Sequence, residues 1–223
     1  HDAVEVSLNG VHYHTTPVTY YYLVVDSFEP SGGPTTGGTI VRVRGRYLET
    51  CAAPVCVLDA ASVATSFDSA TGDLVCTTEA AATAHRATFA VLCNGLLLEA
   101  PERYEYYAPL DVTSLFYTPQ SGPEAGETLL TISGASLAAS VAGRPCNCSF
   151  GALVTAAIYD AAAGELACLT PDMRAHPAVR GPVAFSLSLN GQQYQQLPVP
   201  FNVSERAATW GVVVAPTRVP YGG

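Results

Sequence analysis

The sequence predicts an all-β protein of tandem antiparallel β-sandwiches, and three observations lead to this fold class. The 19 glycines and 16 prolines are spread along the 223 residues at regular intervals, as expected for turns between many short strands. Segments of alternating apolar and polar residues run into Asn-Gly pairs, the pattern of a strand that enters a hairpin. Blocks of sequence also recur at intervals of module size, so two complete sandwiches of about 100 residues fit the chain.

The Asn-Gly pairs mark the first repeated block. They are Asn9-Gly10, Asn94-Gly95 and Asn190-Gly191, which lie 85 and 96 residues apart. Asn-Gly suits a type I′ turn because both central residues need positive φ. The strands before the three pairs match too, with Val4, Val6 and Leu8 corresponding to Phe89, Val91 and Cys93, and to Phe185, Leu187 and Leu189. The alternation predicts that one face of each strand lies in a core.

A second block precedes each core and recurs 89 residues later. Its members are Pro30, Pro34, Gly37, Thr39, Gly45 and Leu48, which return as Pro119, Pro123, Gly126, Thr128, Gly134 and Leu137. The end of the chain repeats the start of this block at Pro216, Pro220 and Gly223. The pair Cys56 and Cys76 returns 92 residues later as Cys148 and Cys168. Offsets that grow steadily along the module are those that small loop insertions produce.

These repeats predict four segments. Residues 1–23 read as the last hairpin of a preceding module, residues 24–108 and 110–204 as complete modules, and residues 205–223 as a linker and the start of a following module. A sandwich needs all its strands to bury its faces, so we expect the lone hairpin to belong to something larger.

Composition excludes two classes of protein. The net charge is −9, with no lysine and with ten arginines against 19 acidic residues, whereas a nucleic-acid-binding surface needs basic residues to neutralise phosphates. No apolar run approaches 18 residues, so we expect no membrane span in this segment. Apolar residues make up 48% of the chain, which is enough to build packed cores.

The ordered blocks resemble the IPT/TIG family, the immunoglobulin-like modules of plexins, Met-type receptors and fibrocystin-type surface proteins. The resemblance is carried by Phe28-Glu29-Pro30 through Gly37-Gly38-Thr39, by the apolar strand that follows, and by the repeated cysteine pair. It implies tandem immunoglobulin-like antiparallel β-sandwiches used for adhesion, receptor assembly or spacing. It implies no catalytic residues, no cofactor and therefore no enzyme. Glu79, near where the second module has Pro171, and the additional cysteines depart from the basic pattern.

Seven cysteines suggest a disulfide framework. The repeated pairs suggest Cys56–Cys76 and Cys148–Cys168, each worth about 2–4 kcal/mol. Cys93 holds an inward strand position and Cys51 lies in the same module, so Cys51–Cys93 is the third pairing that we expect. Cys146 is then left over, which suggests an intermolecular bond or a partner elsewhere. The alternative is a cytosolic protein with seven buried thiols.

Two sequons fit an extracellular or cell-surface glycoprotein. They are Asn147-Cys148-Ser149 and Asn202-Val203-Ser204. Such triplets also arise by chance, so they support this location only together with the cysteines. Cysteine in the middle position usually lowers occupancy, so Asn202 is the stronger candidate.

The arginines supply a candidate interface. Arg42, Arg44 and Arg46 alternate along one strand and predict a basic stripe opposite the core-facing Val41 and Val43. Such a stripe can dock an acidic neighbouring module or a sulfated glycan, or it can be a solvated face that protects a sheet edge.

Histidines leave one enzymatic alternative open. His12 and His14 are two apart, so on a strand they would share a face and could bind a metal. His1, if it were a true N-terminus, could serve with His85 or His176 in a copper-dependent oxidative enzyme. We expect instead that the repeat explains the chain, with no metal site and no cofactor.

The sequence therefore predicts a non-catalytic extracellular repeat segment. It would belong to an adhesion or receptor-like surface protein, or to a fibre-forming structural glycoprotein, and would make contacts with other protein modules by self-assembly or with a surface partner. Glycans are a further possible partner. A carbohydrate-binding module is another alternative, whose mark would be exposed coplanar aromatic side chains.

Overall fold

The structure is a computed structural model that describes residues 2–135, 137–141, 143–176 and 181–205. The described chain is dominated by antiparallel strands, which confirms the predicted all-β class with an immunoglobulin-like arrangement. It forms two compact units, whose main division falls between Asp111 and Val112. The predicted start of a following module lies almost wholly outside the described residues.

The first unit contains the strands that precede this division. They are β1 (Asp2–Val6), β2 (His14–Tyr20), β3 (Val24–Glu29), β4 (Gly32–Pro34), β5 (Ile40–Arg46), β6 (Val55–Leu58), β7 (Ala61–Asp68), β8 (Asp73–Thr77), β9 (His85–Cys93) and β10 (Leu96–Tyr107). A short 3₁₀ turn, Leu48–Thr50, follows β5 and buries Leu48.

Strand β7 joins the two layers of the first sandwich. The strand order is β3-β5-β8-β7-β6-β9-β10-β4, and β1 and β2 form a separate two-stranded sheet. The start of β7 pairs with β6, whereas the stretch from Ala64 to Asp68 pairs with β8, so this one strand belongs to both layers. All pairings are antiparallel except that of β4 with β10. The apolar side chains lie between the layers.

The first core follows the predicted alternation. Val41 and Val43 of β5 are fully buried, as is Val91 of β9. Phe28 stacks on Phe89 with ring centroids 4.5 Å apart, which joins β3 to β9 across the core. The inward positions of the repeated strand are thus packed as the sequence predicts.

The second unit contains the strands that follow the division. They are β11 (Phe116–Thr118), β12 (Ser121–Pro123), β13 (Leu129–Ser133), β14 (Cys146–Phe150), β15 (Leu153–Asp160), β16 (Glu165–Leu169), β17 (Gly181–Val183), β18 (Phe185–Ser188), β19 (Gln195–Gln196) and β20 (Phe201–Ser204). One sheet has the order β11-β13-β16-β15-β14-β18-β19 and the other β12-β20-β17. A short helix, α1 (Leu137–Val141), stands where the first unit has its 3₁₀ turn.

Aromatic rings fill the second core. Phe150 contacts Phe185 and Phe201 at centroid distances of 5.0 and 5.3 Å, and Tyr117 lies 4.6 Å from Phe185. Leu130 of β13 is fully buried at the position that corresponds to Val41. Both units therefore build their cores from the same repeated strands.

The repeated glycines are required by backbone geometry. Gly37 and Gly126 have φ of 73° and 80°, the left-handed region that disfavours side chains. A Cβ on Gly37 would lie 2.5 Å from the backbone of Glu79, and one on Gly126 would lie 2.5 Å from the carbonyl of Pro171. The repeated glycine is thus explained by a close approach of two backbone segments in each unit.

Only one Asn-Gly pair forms the predicted two-residue turn. Asn94 and Gly95 have φ of 50° and 85°, and Cys93 pairs with Leu96. The tight-turn prediction is wrong at Asn9 and Asn190, where longer loops separate the strands. There the side-chain oxygen of each Asn accepts hydrogen bonds from the backbone N–H groups two and three residues ahead, which stabilises a wider turn.

Candidate functional site

Three disulfides form the covalent framework. Cys56 of β6 and Cys76 of β8 are bridged across the two layers of the first sandwich, with Cα atoms 6.2 Å apart. Cys148 of β14 and Cys168 of β16 are bridged in the second unit at 6.5 Å. A further bridge joins Cys51 to Cys93 at 5.3 Å. The repeated cysteine pair thus forms a disulfide at equivalent positions in both units.

Cys146 lies at the start of β14 with only 3% of its surface exposed. Its register partner on β15 is Ala157. A thiol in this position does not reach the surface of the unit, so the interface role expected for Cys146 has no accessible group here. The physical reason is that Cys146 alternates in phase with the core residue Cys148.

The two sequons occupy different environments. Asn147 is half-buried within β14, which is paired on both sides, and the neighbouring Cys148 is held in a disulfide. Asn202 is exposed on β20. Only the second asparagine presents an open side chain.

The arginine stripe lies on the outward face of the first unit, as its alternation predicts. Arg42, Arg44 and Arg46 expose 47%, 58% and 63% of their side chains. Carboxylates from neighbouring strands lie beside them, and we call the whole set the charged face: Asp26, Glu29, Arg42, Arg44, Arg46, Asp68 and Asp73.

Each arginine of the charged face has an acidic neighbour. The guanidinium of Arg42 lies 3.0 Å from Asp68, and the hydrogen bond it donates holds the pKa of that carboxyl below its usual range. Arg44 lies 3.6 Å from the buried Asp73, and Arg46 lies 3.7 Å from Asp26. Four carboxylates thus balance three guanidinium groups, so the stripe is not a free basic surface for a polyanion.

The equivalent face of the second unit is apolar. Its sheet presents Phe116, Leu129, Ile158 and Leu169 outward, with 65%, 58%, 75% and 52% of each residue exposed. Val154 is also exposed, and the space between these side chains is filled by small residues: Ala156, Ala167 and Thr131. We call this set the apolar face.

Strand register makes the apolar face continuous. Leu129 of β13 is paired with Leu169 of β16, and Thr131 with Ala167. Ala167 is in turn paired with Ile158 of β15. Residues paired across strands share a face of the sheet, so these side chains form adjacent rows. The charged residues at its border are Asp160 and Glu165, themselves a register pair.

The sequence itself contains a signal for the apolar face. At the 89-residue offset Arg42 and Arg44 are replaced by Thr131 and Ser133. At the 92-residue offset Ser66 is replaced by Ile158. Strand β15 is also apolar at outward as well as inward positions, which marks a strand whose outer side is available for contact.

His85 forms a small polar cluster with Asp59, Thr83 and Tyr106 in the first unit. The Nε2 atom of His85 is 3.0 Å from a carboxylate oxygen of Asp59, and its Nδ1 atom is 2.9 Å from the carbonyl oxygen of Thr83. Both partners only accept hydrogen bonds, so the geometry suits a protonated imidazole. The Thr83 carbonyl and then Asp59 raise the pKa of His85. The ring stacks on Tyr106, whose pKa burial raises to about 12.

The other histidines are not brought together. His12 lies in the loop after β1 and only His14 belongs to β2, so the two do not share a strand face as expected. His12, His14 and His176 are exposed. No group of three or more His, Cys, Asp or Glu side chains suited to a metal occurs among the residues that the structure describes. His1 lies outside them. No described helix has the length and apolar character needed to span a bilayer.

Comparison with known proteins gives a family for the first unit. Residues 23–106 match the model of the IPT/TIG domain. The extracellular region of plexin A4 is similar over 83% of this chain and 16% of its own length, with 17% sequence identity and a TM-score of 0.51. The chain thus spans about a sixth of that plexin, and the likeness is one of fold. A search of curated proteins finds no match.

Weaker structural likenesses exist to two further proteins. SGBP-B from a xyloglucan utilization locus of Bacteroides uniformis has 12% identity and a TM-score of 0.32, with coverage of 82% of this chain and 50% of that one. Murine CEACAM1b has 12% identity and a TM-score of 0.28, with coverage of 82% and 100%.

Proposed function

Because residues 23–106 form an IPT/TIG domain, we propose that the chain is a non-catalytic extracellular segment of a receptor-like, adhesive or fibre-forming glycoprotein. It spaces its modules and makes protein–protein contacts. Three disulfides support this location, since such bonds persist in oxidising compartments. The family match and the plexin-like fold support a receptor-type role without catalysis.

The observation that carries the contact role is the apolar face of the second unit. At equivalent positions the first unit places ion pairs, which hold water and resist non-specific association. The second unit places exposed Ile158, Leu129 and Leu169 there. Removal of such a patch from water by a partner lowers the free energy and so favours binding. The centre of the face carries no charge that a partner would have to neutralise.

The partner that best fits this face is another β-sandwich module, and a second copy of this chain supplies one. Two flat sheet faces pack with interdigitating apolar side chains, as the two layers of a sandwich do. A second copy presents the same uncharged rows, so no buried charge is left unpaired. The net charge of −9 opposes the approach of two copies, and salt screens this repulsion.

The size of the face predicts a weak contact. Four strands of about five residues cover roughly 17 Å by 19 Å, or on the order of 300 Å², from the ordinary rise and spacing of strands. Stable interfaces bury about 800 Å² on each partner, so a single contact is transient. Repetition along an array of modules multiplies such contacts through effective concentration.

The first hairpin supports the array. Val6 of β1 and Leu8 after it are exposed, whereas their counterparts Val91 and Cys93 are fully buried. Val6 and Leu8 are therefore core-type side chains that no other layer of the described chain covers. We assign this hairpin to a preceding module, with residues 24–108 and 110–204 as the following ones.

Sedimentation velocity over a wide concentration range tests the contact role. The wild-type chain is expected to self-associate weakly, and more strongly at moderate salt than at low salt. Ile158→Glu places a charge at the centre of the apolar face and is expected to leave a monomer at every concentration. Ser66→Glu adds the same charge at the equivalent exposed position of the first unit and is the matched control.

Two outcomes would contradict the proposal. One is a wild-type chain that stays monomeric up to the highest concentration. The other is an Ile158→Glu variant that associates as the wild type does, with the fold of both verified by circular dichroism.

A further inference from the structure

Asn202 stands at the centre of a small exposed sheet. It belongs to β20, which lies between β12 and β17. Its neighbours Phe201 and Val203 are buried, with 0% and 4% of their surface exposed. Asn202 and Ser204 therefore share the outward face. The register pairs Asn202 with Ser121 on one side and Pro182 on the other.

The backbone of this sequon is fixed while the acceptor amide is open. The backbone N–H of Asn202 donates to the carbonyl of Gln120 at 2.9 Å, and the Ser204 hydroxyl donates to the carbonyl of Gly122 at 3.1 Å. Among the residues that the structure describes, none forms a hydrogen bond with the side-chain amide of Asn202. A group attached to its Nδ2 atom therefore displaces no internal contact.

A shallow groove of about 510 Å³ begins at this side chain. It is lined by Asn202 itself, by the apolar Pro182, Val199 and Pro200, and by the polar Gln120 and Ser121. Val199 exposes 42% of its surface, which is a large fraction for an apolar residue. The groove thus combines three apolar and three polar side chains.

This composition matches an amphipathic ligand of one chemical class. A pyranose has an apolar face of C–H groups and a rim of hydroxyl and acetamido groups, so it can place the first on proline rings and the second near Gln120 and Ser121. An apolar peptide would leave those polar groups unpaired. The Asn202 side chain supplies the tether that holds a sugar at this place.

We infer that Asn202 is N-glycosylated and that the first sugar residues of the glycan lie in the groove over Pro182, Val199 and Pro200. The inference rests on the proposed extracellular location. The glycan is then a structural part of the second unit, because it covers apolar surface that the chain leaves exposed. It also makes this face of the unit unavailable to a protein partner.

The modification is a group transfer from a lipid-pyrophosphate-linked oligosaccharide. The Nδ2 atom of Asn202 forms a bond with the anomeric carbon of the first sugar and loses one proton to a base of the transferase. The bond between that carbon and the phosphate oxygen breaks, and the lipid pyrophosphate leaves with the electron pair. No oxidation or reduction takes place.

Asn147 provides the contrast within the same unit. It is half-buried in a strand that is paired on both sides, and the hydroxyl of Ser149 is buried and donates to the carbonyl of Gly151 at 2.8 Å. Cys148 between them is bridged to Cys168. Asn147→Gln is therefore the matched control for Asn202→Gln.

The experiment is glycopeptide mass spectrometry of the chain secreted from eukaryotic cells, followed by timed release with a peptide-N-glycosidase. We expect the glycan at Asn202 in most molecules, its loss in Asn202→Gln, and no change in Asn147→Gln. Release from the folded wild type is expected to be severalfold slower than from folded Val199→Ser. The two rates are expected to be equal after denaturation, which controls for the peptide sequence.

Two results would overturn the inference. An unmodified Asn202 in a chain that is secreted with its three disulfides removes the glycan but leaves the proposed extracellular role intact. Equal release from folded wild type and folded Val199→Ser removes the groove contact. Failure of the chain to be secreted with oxidised cysteines would instead count against the proposed function.

Discussion

The two units have equivalent interiors and different surfaces. Val41 and Leu130 hold equivalent buried positions, and each unit has a disulfide with cysteines 20 residues apart. At equivalent outward positions, the first unit has Arg42 and Arg44 and the second has Thr131 and Ser133. Core positions are constrained by packing, whereas outward positions are free to acquire a role. The surface difference is therefore where we locate function.

The shared interior is tested by removing the equivalent disulfides, which is the largest effect that we expect. Cys56→Ser with Cys76→Ser, and Cys148→Ser with Cys168→Ser, should each destabilise their own unit by about 2–4 kcal/mol. The reason is that each closes a loop of the same length. Urea unfolding, followed by the aromatic signals of each unit, gives the two values. Losses that differ greatly between the units would show that their interiors are not equivalent.

The surface difference is tested by giving the second unit part of the charged face. Thr131→Arg with Ser133→Arg introduces guanidinium groups beside Asp160 and Glu165, which correspond to the Asp68 and Asp73 of the first unit. Any contact on this face would then have to bury charged groups in place of uncharged side chains. Self-association is expected to weaken at least about tenfold, equivalent to about 1.4 kcal/mol. Sedimentation velocity measures this effect. Unchanged association in a folded variant would place the contact elsewhere.

The ion pairs of the charged face are expected to contribute little to stability. Arg44→Ser removes an exposed guanidinium from beside Asp73, and exposed pairs are worth about 0–1 kcal/mol. The loss in unfolding free energy should shrink further in high salt. Thermal unfolding at two salt concentrations checks this. A large, salt-independent loss would mean that the arginine stem packs against the sheet and that charge is secondary.

The smallest effect concerns His85 of the first unit and the Asp59 carboxylate beside it. Because the pKa of His85 is raised in the folded chain, the protonated imidazole contributes to the free energy of unfolding. This contribution is complete below about pH 6.5 and is lost as pH rises through the raised pKa. The backbone N–H of Thr88 and then His85 lower the pKa of Asp59, so its contribution is lost as pH falls below about 4.

The wild type should therefore exceed His85→Gln in unfolding temperature most between about pH 4 and 6.5. The difference should decline toward pH 8. Melting curves of the two proteins across this range test the effect, and a difference that grows toward pH 8 would contradict it. His176→Gln, which alters an exposed histidine of the second unit, is the control.

The interior was predictable because its physical constraints repeat in the sequence. Alternation placed Val41 and Val43 inward, and the Gly37–Gly126 repeat reflects a backbone approach that admits no side chain. The Asn-Gly motif was less informative, since Asn9 and Asn190 use their side chains to build wider turns. Such a choice depends on the whole loop and not on the pair alone.

The candidate site was harder to predict because it depends on pairing between strands. The alternation of Arg42, Arg44 and Arg46 gave the stripe, but not the carboxylates that register brings beside it. Ile158 and Leu129 are distant in sequence, and only the strand order makes them part of one face. A sequence alone assigns residues to faces, whereas the sheet order assigns faces to neighbours.

Hydroxyl-radical footprinting of the side chains at low and high protein concentration tests the central claim most directly. Phe116, Ile158 and Leu169 are expected to lose labelling as concentration rises, because the apolar face becomes covered. Leu8 and Val11 of the first hairpin, which are also exposed, should keep theirs. Constant labelling of the apolar face at concentrations where the chain associates would contradict the account.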